Sequence, residues 1–272
     1  MTSRLLEARR HVAEDAERER ERPGRRRNEM AATSSALSPS LRVQTAWVLQ
    51  WITSTENLTE AKQPSVCAIY EAGVTWVQIR DLHASHAELV RAARVLKQCA
   101  THASKRTGER KLAIVNINHQ VDERARERMR LFADAEALGC MDGLHLPERF
   151  IRDAQNLAIT TEAHGKGGLL GCSVHSIDAA MDATRLGRFA YLQVGTMFPT
   201  QTHVGKEPEG VELMCRISSA CPGMHLLGVG GILPENAQQV VAAGASGVAA
   251  IRSLDSPRKA QRLKSALSIK RS

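Results

Sequence analysis

The stretch that decides the fold is LLGVGGILPENAQQVVAAGASGVAAIRS, residues Leu226–Ser253. It alternates a short apolar run, a glycine-rich turn, a segment of helical periodicity, a second glycine turn and a second apolar run. A strand–helix–strand unit of this kind places its two strands in parallel, buried on both faces. Two glycine-rich turns so close together near the end of the chain need an explanation of their own.

Eight apolar runs of this kind lie between Trp47 and Ser253, and each is followed by a longer stretch of helical periodicity. One predicted helix follows Ser85, and another opens with a Ser176 cap and closes at Gly187. Eight strand–helix units in roughly 225 residues predict an α/β fold, a closed (β/α)8 TIM barrel, rather than a doubly wound open sheet. The runs are WVLQWITS, VTWVQIR, KLAIVNIN, DGLHL, GGLLGCS, AYLQVGT, HLLGVGG and SGVAAIRS.

Composition narrows the class of protein. The chain of 272 residues is 43% hydrophobic, which is enough for one domain with a sizeable core. Its net charge of +8 comes from both ends of the chain without an aromatic-studded basic segment, so we expect no nucleic-acid partner. No apolar run reaches the roughly 18 to 20 residues of a membrane span, so we expect a soluble protein without a membrane partner. The six cysteines are scattered singly, which favours a reducing compartment and no zinc site.

The first 45 residues differ from the rest. Residues 1–30 mix arginine and glutamate with few apolar side chains, which predicts a disordered leader. Residues 31–45 are rich in Ser, Thr and Ala and contain no acid, which is compatible with a plastid or mitochondrial transit segment. A flexible leader on a cytoplasmic protein is the equal alternative. The barrel is expected over residues 46–272.

The two glycine turns predict a phosphate site. In (β/α)8 barrels the loops after strands seven and eight commonly hold a phosphate, because glycines let backbone N–H groups approach its oxygens. Gly228, Gly230 and Gly231 end the seventh run, and Ile251 and Arg252 end the eighth. The alternative is that the glycines only permit tight turns. Two turns in these positions, with a cationic side chain beside them, favour a small phosphorylated substrate.

The motifs VQIR, LHLPE, GCSVHS, VGTMFPTQTHVGKEPEGV, GVGGILPEN and GASGVAAIRSL, in this order, resemble the thiamine phosphate synthase/TenI superfamily over Trp47 to Leu254. The resemblance implies a (β/α)8 barrel, a phosphorylated thiazole ligand and a role in vitamin B1 biosynthesis. Members of the superfamily are often oligomers, so a homo-oligomer is a further expectation.

The superfamily has two branches with different charge requirements. A thiamine phosphate synthase expels pyrophosphate from a hydroxymethylpyrimidine, which calls for lysines and a magnesium ion held by carboxylates. Where that branch has a lysine and two aspartates, this chain reads Leu82, Ile117 and Phe150, and His203 replaces a further lysine. The resemblance therefore favours a TenI-like thiazole tautomerase with no metal and no cofactor.

Two alternatives stay open beside the tautomerase. One is a divergent, magnesium-dependent synthase in which Asp122, Glu148 or Lys206 takes over a lost role. The other is a catalytically silent barrel that binds thiazole or thiamine phosphate.

His175, in the SVHS motif, is the predicted catalytic base. A histidine has an unperturbed pKa of about 6.5, so it can take a proton and return it near neutral pH. The alternative is a structural residue at a helix N-terminus. For Arg80 we expect a bidentate clamp on a substrate carboxylate, against a structural pair with Asp81. The predicted substrate contacts are Gln78, Arg80, Asn116 (or Asn118 in its place), Ser173, Thr200 and Thr202.

Overall fold

The computed structural model describes residues 47–116, 139–151, 168–201, 205 and 207–268. Eight parallel strands pair in chain order, and the eighth pairs with the first, so the barrel is closed. The predicted (β/α)8 barrel is confirmed, with a strand inside each of the eight apolar runs. The strands are β1 Val48–Thr53, β2 Trp76–Ile79, β3 Leu112–Asn116, β4 Gly143–Leu146, β5 Leu169–Val174, β6 Tyr191–Gly195, β7 His225–Val229 and β8 Gly247–Ala250.

The described helices lie on the outside of the barrel, as the crossover connections between parallel strands require. Their bounds are α1 Gln63–Glu71, α2 His86–Thr107, α3 Ile177–Leu186, α4 Gly210–Ala220, α5 Ala237–Ala242 and α6 Pro257–Ser268. Single 3₁₀ turns cover Thr55–Asn57, Glu60–Lys62 and Glu148–Phe150. In the part of the chain that is described, no helix is both long enough and apolar enough to cross a membrane.

Two helices begin where the sequence predicts. The Ser85 hydroxyl accepts the Glu88 N–H, and the Glu88 carboxylate accepts the Ser85 N–H, which forms a capping box at the start of α2. The Ser176 hydroxyl caps α3 by accepting the Ala179 N–H. Gly187 ends that helix in the left-handed conformation, with a φ of 63°.

The core has two layers. A large cluster packs the outer faces of the strands against the helices, and the C-terminal helix α6 contributes Ala260, Leu263 and Leu267. A smaller cluster fills the barrel interior. There the edge of the Trp76 ring meets the Tyr191 ring, with 5.0 Å between the ring centroids. The barrel interior is therefore filled with side chains, and a ligand has room only at an end of the barrel.

Several sequence predictions fall outside the described residues: the leader of residues 1–45, Asn118 and Asp122 after β3, and Thr202, His203 and Lys206 after β6.

Candidate active site

A cavity of about 1140 Å³ opens at the carboxyl ends of the strands. Loops after most of the strands contribute to its wall, from Arg80 after β2 to Arg252 after β8. In a (β/α)8 barrel this is the face that carries the active site, because the loops there converge from all sides.

Three glutamines from different strands form the floor beneath the cavity. The Gln193 side-chain N–H₂ donates to the side-chain oxygens of both Gln50 and Gln78, at 2.6 Å each. Gln50 also donates to Gln78, at 3.0 Å. Of the three, only Gln193 lines the cavity. The predicted substrate contact Gln78 is fully buried one layer below, and within the described residues its amide nitrogen has no hydrogen-bond partner.

A second polar chain runs from the cavity wall into the barrel. The predicted contact Ser173 lines the cavity, and its hydroxyl lies 2.8 Å from Nε2 of His145. Nδ1 of the same ring lies 3.0 Å from the Tyr191 hydroxyl. Complete burial, with a smaller contribution from the charge of Arg80, lowers the pKa of His145 to about 3. His145 is therefore a neutral link that holds Ser173 and Tyr191.

Arg80 provides a cation at one end of the cavity. Its side chain follows β2 and is partly buried, and this desolvation lowers the pKa of the guanidinium. No described carboxylate forms an ion pair with it. A partly buried guanidinium without a counter-ion is a good binding site for a carboxylate or phosphate, because the ligand then supplies the missing charge.

The predicted alternative for Arg80, a pair with Asp81, is not what the structure contains. The Asp81 carboxylate accepts hydrogen bonds from the Thr55 hydroxyl and the backbone N–H groups of Thr55, His83 and Ala84. Burial acts to raise the pKa of Asp81, but these hydrogen bonds outweigh it, and the pKa lies below its usual value. Asp81 thus fixes the loop after β2 and leaves Arg80 to the cavity.

Asn116 ends β3 and also lines the cavity. It is 7% exposed, and its side-chain oxygen has no hydrogen-bond partner among the described residues. A buried amide oxygen without a donor is costly unless a ligand or a water molecule satisfies it. The structure thus brings Asn116 into the site, while its alternative Asn118 lies outside the described residues.

The glycine turn after β7 forms the opposite end of the cavity. Gly230 and Gly231 line it with φ angles of 96° and 64°, which glycine adopts without strain. A Cβ on Gly231 would lie 2.6 Å from the Pro199 carbonyl oxygen. The turn is therefore pressed against the loop after β6, and this close approach is possible only for glycine.

Gly228 differs from the expectation. It lies inside β7 rather than in the turn, and it does not line the cavity. A Cβ at this position would come within 2.2 Å of Cγ1 of Val240 on α5. The close packing of β7 against α5 explains why position 228 is a glycine. Gly230 and Gly231 remain the candidates for contact with a phosphate.

The end of β8 adds a second cation. Ile251 and Arg252 both line the cavity, and Ile251 is 40% exposed. The Arg252 guanidinium donates to the side-chain oxygen of Gln201 at 2.5 Å, which joins the β8 turn to the loop after β6. Thr200 of that loop also lines the cavity, whereas Thr202 is outside the described residues.

His175 lies on the wall between these two ends. Its backbone N–H donates to the Glu148 carboxylate at 2.6 Å, and its ring Nδ1 lies 2.5 Å from the Gly195 carbonyl oxygen. The Glu209 carboxylate is 3.6 Å from the same ring nitrogen. Because a carbonyl oxygen can only accept, the contact with Gly195 assigns the proton to Nδ1 and leaves Nε2 as the basic nitrogen.

Sequence reasoning missed three residues of the site: Gln193 in the floor, Glu148 as a partner of His175, and Glu209, which contacts His175 without lining the cavity. Each comes from a different part of the chain, and no local motif links any of them to His175. Among the described residues, no three His, Cys, Asp or Glu side chains cluster closely enough to hold a metal ion.

The fold and the site together define a (β/α)8-barrel protein whose cavity is lined by Arg80, Arg252 and the Gly230–Gly231 turn. Residues 49–254 match the family model described as thiamine monophosphate synthase. The chain therefore belongs to this family, as the resemblance of its motifs predicts.

Individual relatives agree. The chain is 29% identical over 206 residues to a thiamine-phosphate synthase of Listeria innocua, covering 75% of this chain and 87% of the relative. It is 31% identical over 194 residues to a thiamine-phosphate synthase of Chlorobium luteolum, covering 70% and 79%. A match to the Listeria welshimeri thiamine-phosphate synthase is 38% identical but spans 42% of this chain and only about half (53%) of the relative.

One solved structure shares the fold. A thiamine phosphate pyrophosphorylase from Pyrococcus furiosus superposes with a TM-score of 0.60 at 23% identity, covering 82% of this chain and 96% of the other.

Proposed function

We propose that this protein is a thiamine-phosphate synthase, which joins hydroxymethylpyrimidine pyrophosphate to thiazole phosphate and releases pyrophosphate. The observation that carries the proposal is that one cavity has two separate groups of anion-binding features. A reaction between two phosphorylated substrates needs two such places. An isomerase of carboxythiazole phosphate would also use both, one for the phosphate and one for the carboxylate, so the choice of the synthase rests on the relatives that carry this name.

The first group lies at β2 and β3, where Arg80 offers a guanidinium that lacks a described counter-ion and Asn116 offers an unsatisfied amide oxygen. The second lies at β7 and β8, where the Gly230–Gly231 turn and Arg252 meet. In the closed order of eight strands, β3 is four strands from β7 in either direction. The two groups therefore face each other across the mouth of the barrel.

We assign the thiazole phosphate to the β7–β8 end and the pyrimidine pyrophosphate to the β2–β3 end. The glycine turn favours a single phosphate group because its backbone can approach the oxygens closely. The amide of Asn116 can exchange hydrogen bonds with a heteroaromatic ring, and Arg80 can neutralise charge on the leaving pyrophosphate. The relatives are named thiamine-phosphate synthases, which favours the synthase over the tautomerase as our first choice.

Magnesium is the ion that the family implies. Among the described residues no three His, Cys, Asp or Glu side chains cluster closely enough to hold it, while Glu148, Asp178 and Asp182 line the cavity. Mg²⁺ is usually held by one or two carboxylates together with substrate phosphates. We therefore derive no step through a metal. Whether substrate phosphates bring the ion with them is decided by titration.

The thiazole tautomerase is the second candidate, and one observation favours it. His175 has the tautomer of a proton acceptor, with Nδ1 bound to a carbonyl and Nε2 without a described partner. Such a base can take a proton from carboxythiazole phosphate and return it to another atom of the same ring.

The test is a product assay with the full chain. Thiazole phosphate and hydroxymethylpyrimidine pyrophosphate are supplied together and singly, with and without Mg²⁺, and thiamine phosphate, pyrophosphate and isomerised thiazole are measured. The synthase predicts thiamine phosphate and pyrophosphate in equal amounts, only when both substrates are present. Isomerised carboxythiazole phosphate without the pyrimidine supports the tautomerase, and binding without any product identifies a silent barrel.

A further inference from the structure

We propose that Glu209 is a positioning residue for His175: it holds the Nδ1 side of the ring and opposes the positive charge that forms when Nε2 takes a proton from a ligand. The inference rests on the proposed function only in taking this cavity as the active site.

The geometry around Nδ1 carries the proposal. Glu209 lies in the loop that leads into α4, 34 residues after His175 in the chain, and its carboxylate is 3.6 Å from Nδ1. The Gly195 carbonyl, at 2.5 Å, already accepts the Nδ1 proton. The carboxylate therefore adds a formal negative charge beside an N–H group whose hydrogen bond is already made.

Glu209 is itself fixed in place. Its carboxylate accepts the backbone N–H of Thr196, the residue that directly follows β6. The side chain of Glu209 is 18% exposed, against 47% for that of His175. A mostly buried carboxylate interacts with a nearby charge more strongly than an exposed one, because less water screens it.

The proton steps balance without any further reactant. In the resting state Nδ1 carries a proton and Nε2 carries none, so the ring is neutral. When Nε2 takes a proton from a ligand, the ring becomes an imidazolium, and Glu209 faces the charged ring as a carboxylate. The same proton then passes from Nε2 to a ligand atom, and the ring is neutral again. Aspartate plays the corresponding part for the histidine of serine proteases.

Glutamine at position 209 separates this role from a structural one. Its side-chain oxygen can still accept the Thr196 N–H, so the loop is preserved, but the negative charge is gone. Glu212→Gln is the matched control, because Glu212 is exposed in the first turn of α4 and its loss removes the same charge. Glu209→Asp keeps the charge on a shorter side chain and tests for rescue.

The experiment uses the full chain labelled with ¹⁵N-histidine, and the His175 signals are identified by their loss in His175→Gln. Proton NMR of the ligand-free protein follows the Nδ1–H resonance of His175. Turnover is then measured for whichever product the substrate assay detects. Circular dichroism checks that each variant is folded.

We expect Glu209→Gln to move the Nδ1–H resonance upfield. For isomerisation of carboxythiazole phosphate, which transfers a proton, it should also lower kcat at least about tenfold, with KM within about twofold of the original. The synthase reaction transfers no proton to or from the thiazole, so there the resonance alone is the readout. Glu209→Asp should recover part of the loss, and Glu212→Gln should change nothing. The proposal is overturned if Glu209→Gln and Glu212→Gln give the same resonance position, or if Glu209→Gln raises KM while kcat is unchanged. If the protein turns over neither substrate set, the proposed function fails, and the resonance still decides the role of Glu209.

Discussion

The two sides of the cavity are formed by different kinds of groups, main-chain groups on one side and side chains on the other. The β7–β8 side uses main chain, with the Gly230–Gly231 turn packed against the carbonyl oxygens of the loop after β6. The β4–β6 side uses side chains, with Glu148 and Glu209 brought to His175 from loops far apart in sequence. The glycine turn packs so closely against the loop after β6 that a Cβ atom at Gly231 would clash with it. The β4–β6 side depends on particular charged groups and is sensitive to substitutions that leave the fold intact.

The sharpest contrast comes from His175→Ala, which removes the only proton acceptor that we assign to the side-chain wall. If proton transfer contributes to the reaction, kcat falls by about 10²- to 10⁴-fold, the usual range for loss of a general acid or base. Because the side chain is 47% exposed, the melting temperature should change little. Steady-state kinetics and a thermal melt on the same samples provide both readouts, and an unchanged kcat would mean that His175 is structural.

On the main-chain side, Gly231→Ala should act mainly on stability. The new Cβ would lie 2.6 Å from the Pro199 oxygen and 2.7 Å from the Phe198 oxygen, at a φ of 64°. We expect a loss of about 2–4 kcal/mol in the free energy of unfolding, measured by urea denaturation.

The control for this substitution is Gly223→Ala. Gly223 also has a positive φ, 83°, but a Cβ there would meet nothing within 4 Å. Its cost should be limited to backbone strain, about 1–2 kcal/mol. Equal losses in the two variants would show that the packing of the glycine turn is unimportant.

Arg80→Met tests whether the two sides bind different ligands. Removing the guanidinium should weaken pyrophosphate binding about 10- to 100-fold, the range expected for a hydrogen bond to a charged group, and leave thiazole phosphate binding nearly unchanged. Stability should stay the same or rise, because the desolvated cation has no counter-ion among the described residues. Calorimetric titration measures both affinities, and Arg91→Met, at an exposed position on α2, is the control.

The last expected effect is confined to acid pH and is the pH dependence due to His145. Its pKa is about 3 in the folded protein, against about 6.5 when unfolded, so below pH 6.5 the unfolded chain binds a proton that the folded protein does not. The folded state is therefore disfavoured as the pH falls from 6.5 towards 3, by up to about 1.4 kcal/mol per pH unit.

His145→Gln should remove this contribution, so its stability should fall less steeply between pH 6.5 and 4 than that of the original protein. Denaturant titrations at several pH values measure the slopes. The exposed His83→Gln should retain the original slope, and parallel curves for all three proteins would contradict the assignment of a neutral, buried His145.

The parts of the molecule that the sequence predicts are those with a local signal. The eight strands are short apolar runs because both faces of a parallel barrel are buried, and the turn after β7 has its glycines adjacent in the chain. Gln78 is a predicted substrate contact because it lies beside Arg80 near the end of β2. The alternation of side chains along a strand predicts which side chains point into the barrel, but not how far below the cavity each one lies. Gln78 lies below the cavity floor and is hydrogen-bonded to Gln50 and Gln193.

The side-chain wall has no such signal. Glu209 is brought close to His175 because the residues after β6 and before α4 are hydrogen-bonded to each other, with the Gly210 N–H donating to the Thr196 carbonyl oxygen. A single sequence does not reveal that contact. Gly228 is a second position whose role cannot be predicted from the sequence alone. A glycine in a strand that ends in a glycine-rich turn looks like part of the turn, and only the position of Val240 on α5 explains it.

The central claim is that one cavity accepts two anionic ligands at opposite ends, and the most direct test uses a pair that cannot react. The full chain is titrated calorimetrically with thiazole phosphate, then with inorganic pyrophosphate in the presence of saturating thiazole phosphate, with and without Mg²⁺. The account predicts that each ligand binds with a stoichiometry of about one and that neither displaces the other. Mutual exclusion of the two ligands would contradict it, because the cavity would then have a single anion site.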